Sequence, residues 1–221
     1  DMPPYCWIEN DRCVGPVNAE TRDSKDMFMS QGGGVAAAGF AADQVLPTLK
    51  AKTTAWIARQ LREAPREPFF IYAPLNSPHL PAAPSAAFRG KSNAGTYGDF
   101  VMETDDYVGA VVAALRAGGA LENTLVIFTS DNGGLWHAWD PKEADDLANY
   151  APTPRGQSNR GFGHQSNAHL RGTKADIWEG GHRVPFIVSW PARAKAGVAA
   201  LPIELTDVFA SVAEAVAAPL P

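Results

Sequence analysis

The stretch Leu125-Val126-Ile127-Phe128-Thr129 runs directly into Ser130-Asp131-Asn132-Gly133-Gly134, and this junction restricts the possible folds more than any other part of the chain. Five apolar or β-branched residues closed by a polar, glycine-rich turn predict a strand buried on both faces. An acid and an amide then stand where the chain leaves the carboxyl end of that strand, which is where open parallel sheets bind ligands. Their side-chain oxygens suit a hard cation such as Ca²⁺ or Mg²⁺. Taken by itself, the simpler reading is a strand that ends in an Asx turn, because Asp, Asn and Gly are the commonest turn formers.

The remaining pattern supplies the helices that would cover such a sheet. Apolar residues recur at helical spacing from Asp43, a candidate N-cap, to Glu63, with Pro47 tolerated in the first turn and Pro65 and Pro68 ending the run. Phe69-Phe70-Ile71-Tyr72-Ala73 reads as a buried strand. A second helix fits Tyr97 to Ala117, with Phe100, Val101, Val108, Val111, Val112 and Leu115 on its apolar side and Gly118-Gly119 as the stop. Val184 to Trp190 is predicted as a third strand, and Asp207 to Ala217 as a last amphipathic helix. Strand–helix–strand alternation predicts an α/β fold with a mainly parallel sheet. Residues 1–42, which hold Pro3, Pro4, Pro16 and the run Gly32-Gly33-Gly34, are expected to be irregular. The core is then 43–134 and 170–217, in one domain, with 135–169 as a long polar loop of the kind that carries function.

Composition removes several function classes. Nineteen basic against twenty-four acidic residues give a net charge of −5, and no basic block stands out, which argues against a general nucleic-acid binder. No apolar run approaches the roughly 18 residues that a membrane span needs. The start, Asp1-Met2-Pro3-Pro4-Tyr5, has neither the basic nor the apolar region of a signal peptide, and an initial Asp suggests a processed chain or an excised piece. Cys6 and Cys13 are too far apart for a zinc knuckle; a local disulfide and two free thiols both fit their spacing.

Three segments carry chemistry. Asn76-Ser77-Pro78-His79 follows the strand at 69–73, and a histidine there is able to donate to an oxyanion, although a lone loop histidine is usually just solvated. Asp131-Asn132 is the second. The third is the run from Leu170 to Pro185, in which Lys174 offers a point charge for sulfate or phosphate, with an ordinary surface lysine as the plainer reading. Glu179-Gly180-Gly181 most simply makes a tight turn, and Arg183 is placed to pair with Glu179.

Together, "PFFIYAPLNSPHLPAAP", "NTLVIFTSDNGG" and "LRGTKADIWEGGHRVPFIVSWP" resemble, in order and approximate spacing, the sulfatase family of formylglycine-dependent sulfuric ester hydrolases. "DMPPY", "IENDR" and "AGTYGDFV" extend the likeness to nearly the whole chain, with 13–42 and 135–163 the weakest parts. The resemblance implies an alkaline-phosphatase-like α/β/α sandwich. It carries over Asp131 and Asn132 as oxygen ligands of a Ca²⁺ (less often Mg²⁺), and His79 and Lys174 as residues that bind the sulfate group and stabilise charge as the ester breaks. The implied partner is a sulfated small molecule or carbohydrate, met in the periplasm or outside the cell. Trp136, His137, Trp139 and Arg155 in the long loop are candidates for contact with its sugar or aryl ring, while His182 and Arg183 are expected to be structural.

The family's nucleophile is a Cys or Ser in a C/S-x-P-x-R motif, converted to formylglycine, and neither Cys6 nor Cys13 stands in such a motif. The paired aspartates that complete the metal site, and a Gly-Lys-Trp-His-Leu-Gly segment, are also not found, and the family's C-terminal subdomain is not recognised. The chain is therefore expected to be the middle and later portion of a sulfatase catalytic domain, with little or no turnover alone. Two other readings stay open on the sequence: a phosphoryl-transfer relative in the same superfamily, and a non-catalytic module that binds a sulfated or acidic ligand.

Overall fold

A computed structural model of the chain describes residues 3–21, 34–79, 82–134 and 164–220. Trp136, His137, Trp139 and Arg155, and with them most of the expected substrate-side loop, lie outside the described residues.

Two long helices form the frame. Helix α1 spans Val45–Glu63 behind a short 3₁₀ turn, Ala42–Gln44. Its interior holds no glycine, its proline sits in the first turn, and it buries Leu46 and Ile57. Asp43 does not cap it: Gln44 occupies the cap position without a side-chain bond, and the Asp43 carboxylate instead receives Arg89 at 2.6 Å. Helix α2 spans Gly95–Ala117, two residues longer at its start than the periodicity predicts. It ends as expected. Gly119 takes φ +71°, and the amide of Ala120 returns to the carbonyl of Leu115 at 2.9 Å, satisfying a terminal carbonyl of the helix.

The two helices pack along their length, with Thr53 Oγ1 and the Tyr107 hydroxyl 2.9 Å apart and Lys50 on Asp106 at 2.5 Å. At Gly118 an added Cβ would lie 2.3 Å from Leu61 Cδ1, so α1 approaches closely there and a larger residue would have to turn the Leu61 side chain aside. A small core of Leu46, Ala82 and Phe100, with Leu75 against it, joins both helices to the segment that follows His79. The buried face of α2 is not the wholly apolar one predicted. Asp99 and Glu103 are each only 4% exposed and lie on it with Phe100 and Tyr107, whereas Val101 is turned outward.

Short antiparallel pairs make up the described strands. Strand β1 (Ile8–Glu9) pairs with β2 (Arg12–Cys13) around an Asn10-Asp11 loop in which Asn10 takes φ +56°, a conformation asparagine tolerates in two-residue hairpins. Strand β3 (Val17–Thr21) pairs with β4 (Gly34–Ala37), and Tyr5 bridges to Ala36 in parallel. Residues 1–42 thus contain regular structure where periodicity is lacking, because these strands are too short to show it. Cys6 and Cys13 are free thiols whose sulfurs lie 2.9 Å apart across the first hairpin.

Strand β5 (Val126–Thr129) pairs with β6 (Phe186–Ser189), in register from Val126 opposite Ser189 to Thr129 opposite Phe186. One expectation is corrected here: β5 is half-buried rather than buried on both faces. The pair runs antiparallel, a direction that a mainly parallel sheet admits locally. Strand direction depends on which neighbour the chain finds, and a hydrophobic run carries no information about that. The segment 69–73 forms no ladder among the described residues, and Phe70 and Tyr72 are 77% and 78% exposed. Its apolar composition marks a segment suited to burial, but a strand exists only with a hydrogen-bonded neighbour. Phe69 and Ile71 are half-buried, Phe69 edge-on to Trp56 at 5.6 Å between ring centroids. The last helix, α4, follows β6 at Asp207–Ala215; a single helical turn, α3 (Glu179–His182), precedes it.

Candidate functional site

Strand β5 delivers the acid–amide turn. Beyond Thr129 the Ser130 hydroxyl donates to the carbonyl of Asn132 at 3.0 Å, and the Asn132 amide nitrogen donates to the carbonyl of Gly133 at 3.0 Å. These bonds hold the turn closed and occupy the nitrogen end of Asn132, which leaves an oxygen as its ligating atom. Asp131 is exposed and Asn132 half-buried.

The glycines after it allow an unusually close approach to the segment that carries Lys174. The amide of Gly133 donates to the carbonyl of Gly181 at 2.9 Å, and the amide of Lys174 donates to the carbonyl of Gly134 at 3.0 Å. A Cβ on Gly133 would lie 1.8 Å from the carbonyl oxygen of Gly180; one on Gly180 would lie 2.0 Å from that of Gly172, and one on Gly181 2.1 Å from that of Asp176. No side chain fits at any of the three. The Glu179-Gly180-Gly181 run is therefore more than the tight turn predicted: it is the opening of α3, packed backbone to backbone against two loops. Arg183 pairs with Glu179 at 3.0 Å, as its spacing implied.

Lys174 stands in a turn made by its neighbours. Thr173, 2% exposed, receives the amide of Asp176 on its carbonyl at 2.9 Å and donates its own amide to the Asp176 carboxylate at 3.1 Å. Ala175 is held at φ +73°, a conformation costly for a residue with a Cβ. Arg171 lies over the Trp178 ring, 3.6 Å from its centroid, and closes the base of the turn. Lys174 itself is half-buried.

His79 sits apart from these loops in its anchoring. Its amide bonds to the carbonyl of Asn76 at 3.0 Å, and its side chain is exposed. Helix α2 clamps the chain on both sides of it. Upstream, the Thr104 hydroxyl donates to Ser77 Oγ at 2.8 Å. Downstream, Glu103 accepts the amide of Ser85 at 2.8 Å, and Asp99 accepts those of Gly90 and Ser92 at 2.7 Å each. The side-chain oxygen of Asn76 is buried with no hydrogen-bond partner among the described residues.

The structure thus joins the Asp131–Asn132 turn to the Lys174 loop through backbone bonds, and anchors the chain on either side of His79 on α2. Among the described residues no group of three or more His, Cys, Asp or Glu is arranged to hold a metal. One carboxylate and one amide oxygen suit Ca²⁺ or Mg²⁺ in kind, and they amount to part of the six to eight oxygens that Ca²⁺ takes.

Reading the sequence missed the supporting residues. Asp99 and Glu103, four apart on a helix, share a face with Phe100 and Tyr107, and that pattern was a usable signal of buried acids. Asn167, whose side chain bonds to Gly134 and Gly172, gave none in a stretch without period. The chain also holds a serine version of the nucleophile motif: Ser189-Trp190-Pro191-Ala192-Arg193 spells S-x-P-x-R. The β5–β6 register sets Ser189 opposite Val126, at the end of the ladder away from Ser130–Gly134.

Comparison with known proteins bears on the whole segment. The family model described as Sulfatase matches residues 16–218. N-acetylgalactosamine-6-O-sulfatase of Bacteroides thetaiotaomicron is 35% identical over 155 residues, which cover 70% of this chain and 28% of that protein. Steryl-sulfatase of Mus musculus is 39% identical over 162 residues, 73% of this chain and 23% of the relative. The chain therefore spans about a quarter of the length of these curated relatives. A solved structure from work on glycosaminoglycan metabolism by Bacteroides thetaiotaomicron superposes with a TM-score of 0.70 at 30% identity, covering 85% of this chain and 36% of that one.

Proposed function

The chain belongs to the sulfatase family, with its alkaline-phosphatase-like α/β fold, and from that premise we propose that it supplies the Lys174 and Asp131–Asn132 portion of a site that hydrolyses a sulfate ester. The observation that carries this reading is the bond from the Lys174 amide to the carbonyl of Gly134, two residues beyond Asn132. It fixes a cationic loop beside an oxygen-donor turn.

The roles follow from the chemistry. A sulfate ester reacting at sulfur spreads negative charge over its equatorial oxygens and onto the leaving oxygen. Lys174 binds those oxygens with a point charge that its turn holds in place, so little reorganisation is needed as charge develops. His79 donates to an oxygen of the same group. Asp131 and Asn132 hold a divalent cation, Ca²⁺ or Mg²⁺, which when bound supplies Lewis-acid stabilisation at the sulfate. The relatives' names span an amino sugar and a steryl sulfate, and what they share is an organic sulfate ester; that class is the substrate proposed here. Export to the periplasm or the cell exterior belongs to the same reading, and no described helix is long and apolar enough to cross a membrane.

A cysteine form of the formylglycine motif is not in this sequence, and the serine form lies away from the turn; the isolated chain is accordingly expected to bind sulfate without turning over an ester. Titration with inorganic sulfate, followed by amide chemical shifts, tests the site: binding should be lost in Lys174→Ala. Binding that survives both Lys174→Ala and Asp131→Ala overturns it. Turnover of an aryl sulfate by the isolated chain, abolished by Lys174→Ala, would instead overturn the expected inactivity. Calorimetry should give only weak Ca²⁺ binding, since two protein ligands leave most of the shell to water.

A further inference from the structure

Asn167 lies between the two loops of the site without belonging to either. Its Oδ1 accepts the amide of Gly134 at 2.9 Å; its Nδ2 donates to the carbonyl of Gly172 at 3.0 Å and makes a longer contact of 3.4 Å to the carbonyl of Gly134. Gly134 is the residue whose carbonyl also receives the Lys174 amide, and Gly172 opens the turn that carries Lys174. One planar amide therefore engages the end of the Asp131–Asn132 turn with one atom and the start of the Lys174 turn with the other. Both ends of the amide are used in the sense that only Asn or Gln allows, with an acceptor toward Gly134 N–H and a donor toward Gly172 C=O.

The surrounding structure holds this amide still. The carbonyl of Asn167 accepts the amide of Leu170 at 2.9 Å, and Ala168 between them takes φ +48°. A Cβ on Gly134 would lie 3.0 Å from Asn167 Oδ1 and 2.9 Å from Ser166 Cβ, so the glycine keeps the bond short. The turn is docked in turn on α2, where Tyr97 stacks at an angle on His164 with centroids 6.0 Å apart and bonds to Ser166.

We infer that Asn167 is a positioning residue that sets the distance between Lys174 and the Asp131–Asn132 turn, without itself touching the sulfate. The inference rests on the sulfate-binding reading above, and the experiment separates the two. Amide hydrogen exchange on the full chain reads the positioning directly. In Asn167→Ala the Lys174 amide should exchange at least tenfold faster while the β5–β6 ladder amides keep their rates. Inorganic sulfate should bind about tenfold more weakly to Asn167→Ala than to the unsubstituted chain. Asn167→Asp, which keeps the acceptor but sets a carboxylate oxygen against the Gly172 carbonyl, should show the same two effects despite its matched size. Unchanged Lys174 exchange in both variants overturns the inference, as does equal acceleration of the ladder amides, which would mean general loosening. If Lys174→Ala leaves sulfate affinity untouched while Asn167→Ala still frees the Lys174 amide, the sulfate reading falls and the positioning stands.

Discussion

The amide of Gly133 donates to the carbonyl of Gly181 at 2.9 Å, across two segments nearly fifty residues apart in sequence. That contact brings the turn after β5 into backbone contact with the start of α3, and it exists because none of the residues facing each other there has a Cβ. A methyl on Gly133 would meet the Gly180 carbonyl oxygen at 1.8 Å.

Gly133→Ala should therefore destabilise the chain by about 1–3 kcal/mol, the range for forcing extra volume into a closed contact. Gly109→Ala supplies the control. Gly109 is exposed within α2 with nothing within 4 Å of its added Cβ, and alanine there should stabilise by roughly 0.5–1 kcal/mol. Urea midpoints measure both. A Gly133→Ala midpoint at or above that of the unsubstituted chain would remove the steric argument.

Buried acids on α2 yield a second expectation. Asp99 receives two backbone amides and Glu103 one, and both side chains sit almost wholly out of water. Removing Glu103 strands the buried Ser85 amide, at about 1–3 kcal/mol for a buried group left unpaired. The Gly90 and Ser92 amides released by removing Asp99 instead lie in an exposed to half-buried loop that water reaches. Glu103→Ala and Asp99→Ala should each lower the unfolding midpoint, Glu103→Ala by leaving the buried Ser85 amide unpaired and Asp99→Ala by releasing the two amides that tie Gly90 and Ser92 to α2. Both should speed exchange of the 85–92 amides before that of α1. Equal stability of Glu103→Ala and the parent chain would show that the Ser85 amide finds water after all.

What the sequence disclosed, and what it withheld, divides along physical lines. The β5 run, the Ser130–Gly134 turn, the C-terminal ends of α1 and α2 and the Glu179–Arg183 pair were legible because each depends on neighbours within a few residues. The direction of β6 against β5 was not, since it is settled by pairing across some sixty residues of chain. Phe70 and Tyr72 misled for a related reason: apolar composition signals a preference for burial, while a ladder requires a partner. Asn167 was invisible because its importance lies in what its amide bridges, and no periodicity marks a bridge.

Tyr97 connects α2 to the turn that carries Asn167, and its titration offers a pH test. Burial pushes its phenol above the ordinary 10.0, and the hydrogen bond with Ser166 pulls the other way without overcoming it. A folded-state pKa raised above the unfolded one means the contribution to stability is whole below pH about 10 and is lost as pH climbs through the folded value. Unfolding midpoints should accordingly hold up to that point and then fall, and the fall should be shallower in Tyr97→Phe. Ultraviolet titration should show one late-ionising phenol that this variant lacks. A variant with the same late component would place the shift on another tyrosine.

Ser189 gives the sharpest negative expectation. Ser189-Trp190-Pro191-Ala192-Arg193 carries the letters of a formylglycine motif, so sequence matching alone would nominate it as the nucleophile. The ladder argues otherwise. Ser189 pairs with Val126 and Thr129 with Phe186, so Ser189 lies three residue steps from the end that leads into Asp131, roughly 10 Å along a strand. The turn after it is also committed elsewhere. Ala192 donates its amide to the carbonyl of Glu122 at 2.9 Å, and Arg193 lies over the Trp190 ring at 4.9 Å. A nucleophile must come within about 3–3.5 Å of the sulfur it attacks, and the sulfate proposed to lie on Lys174 beside Asp131 would be out of reach from there. Ser189→Ala should leave sulfate affinity unchanged in the titration that detects Lys174→Ala. Mass spectrometry after co-expression with a formylglycine-generating system should find Ser189 as unmodified serine. An aldehyde at that position, or lost sulfate binding on its substitution, would mean that the ladder geometry does not govern where the chemistry takes place.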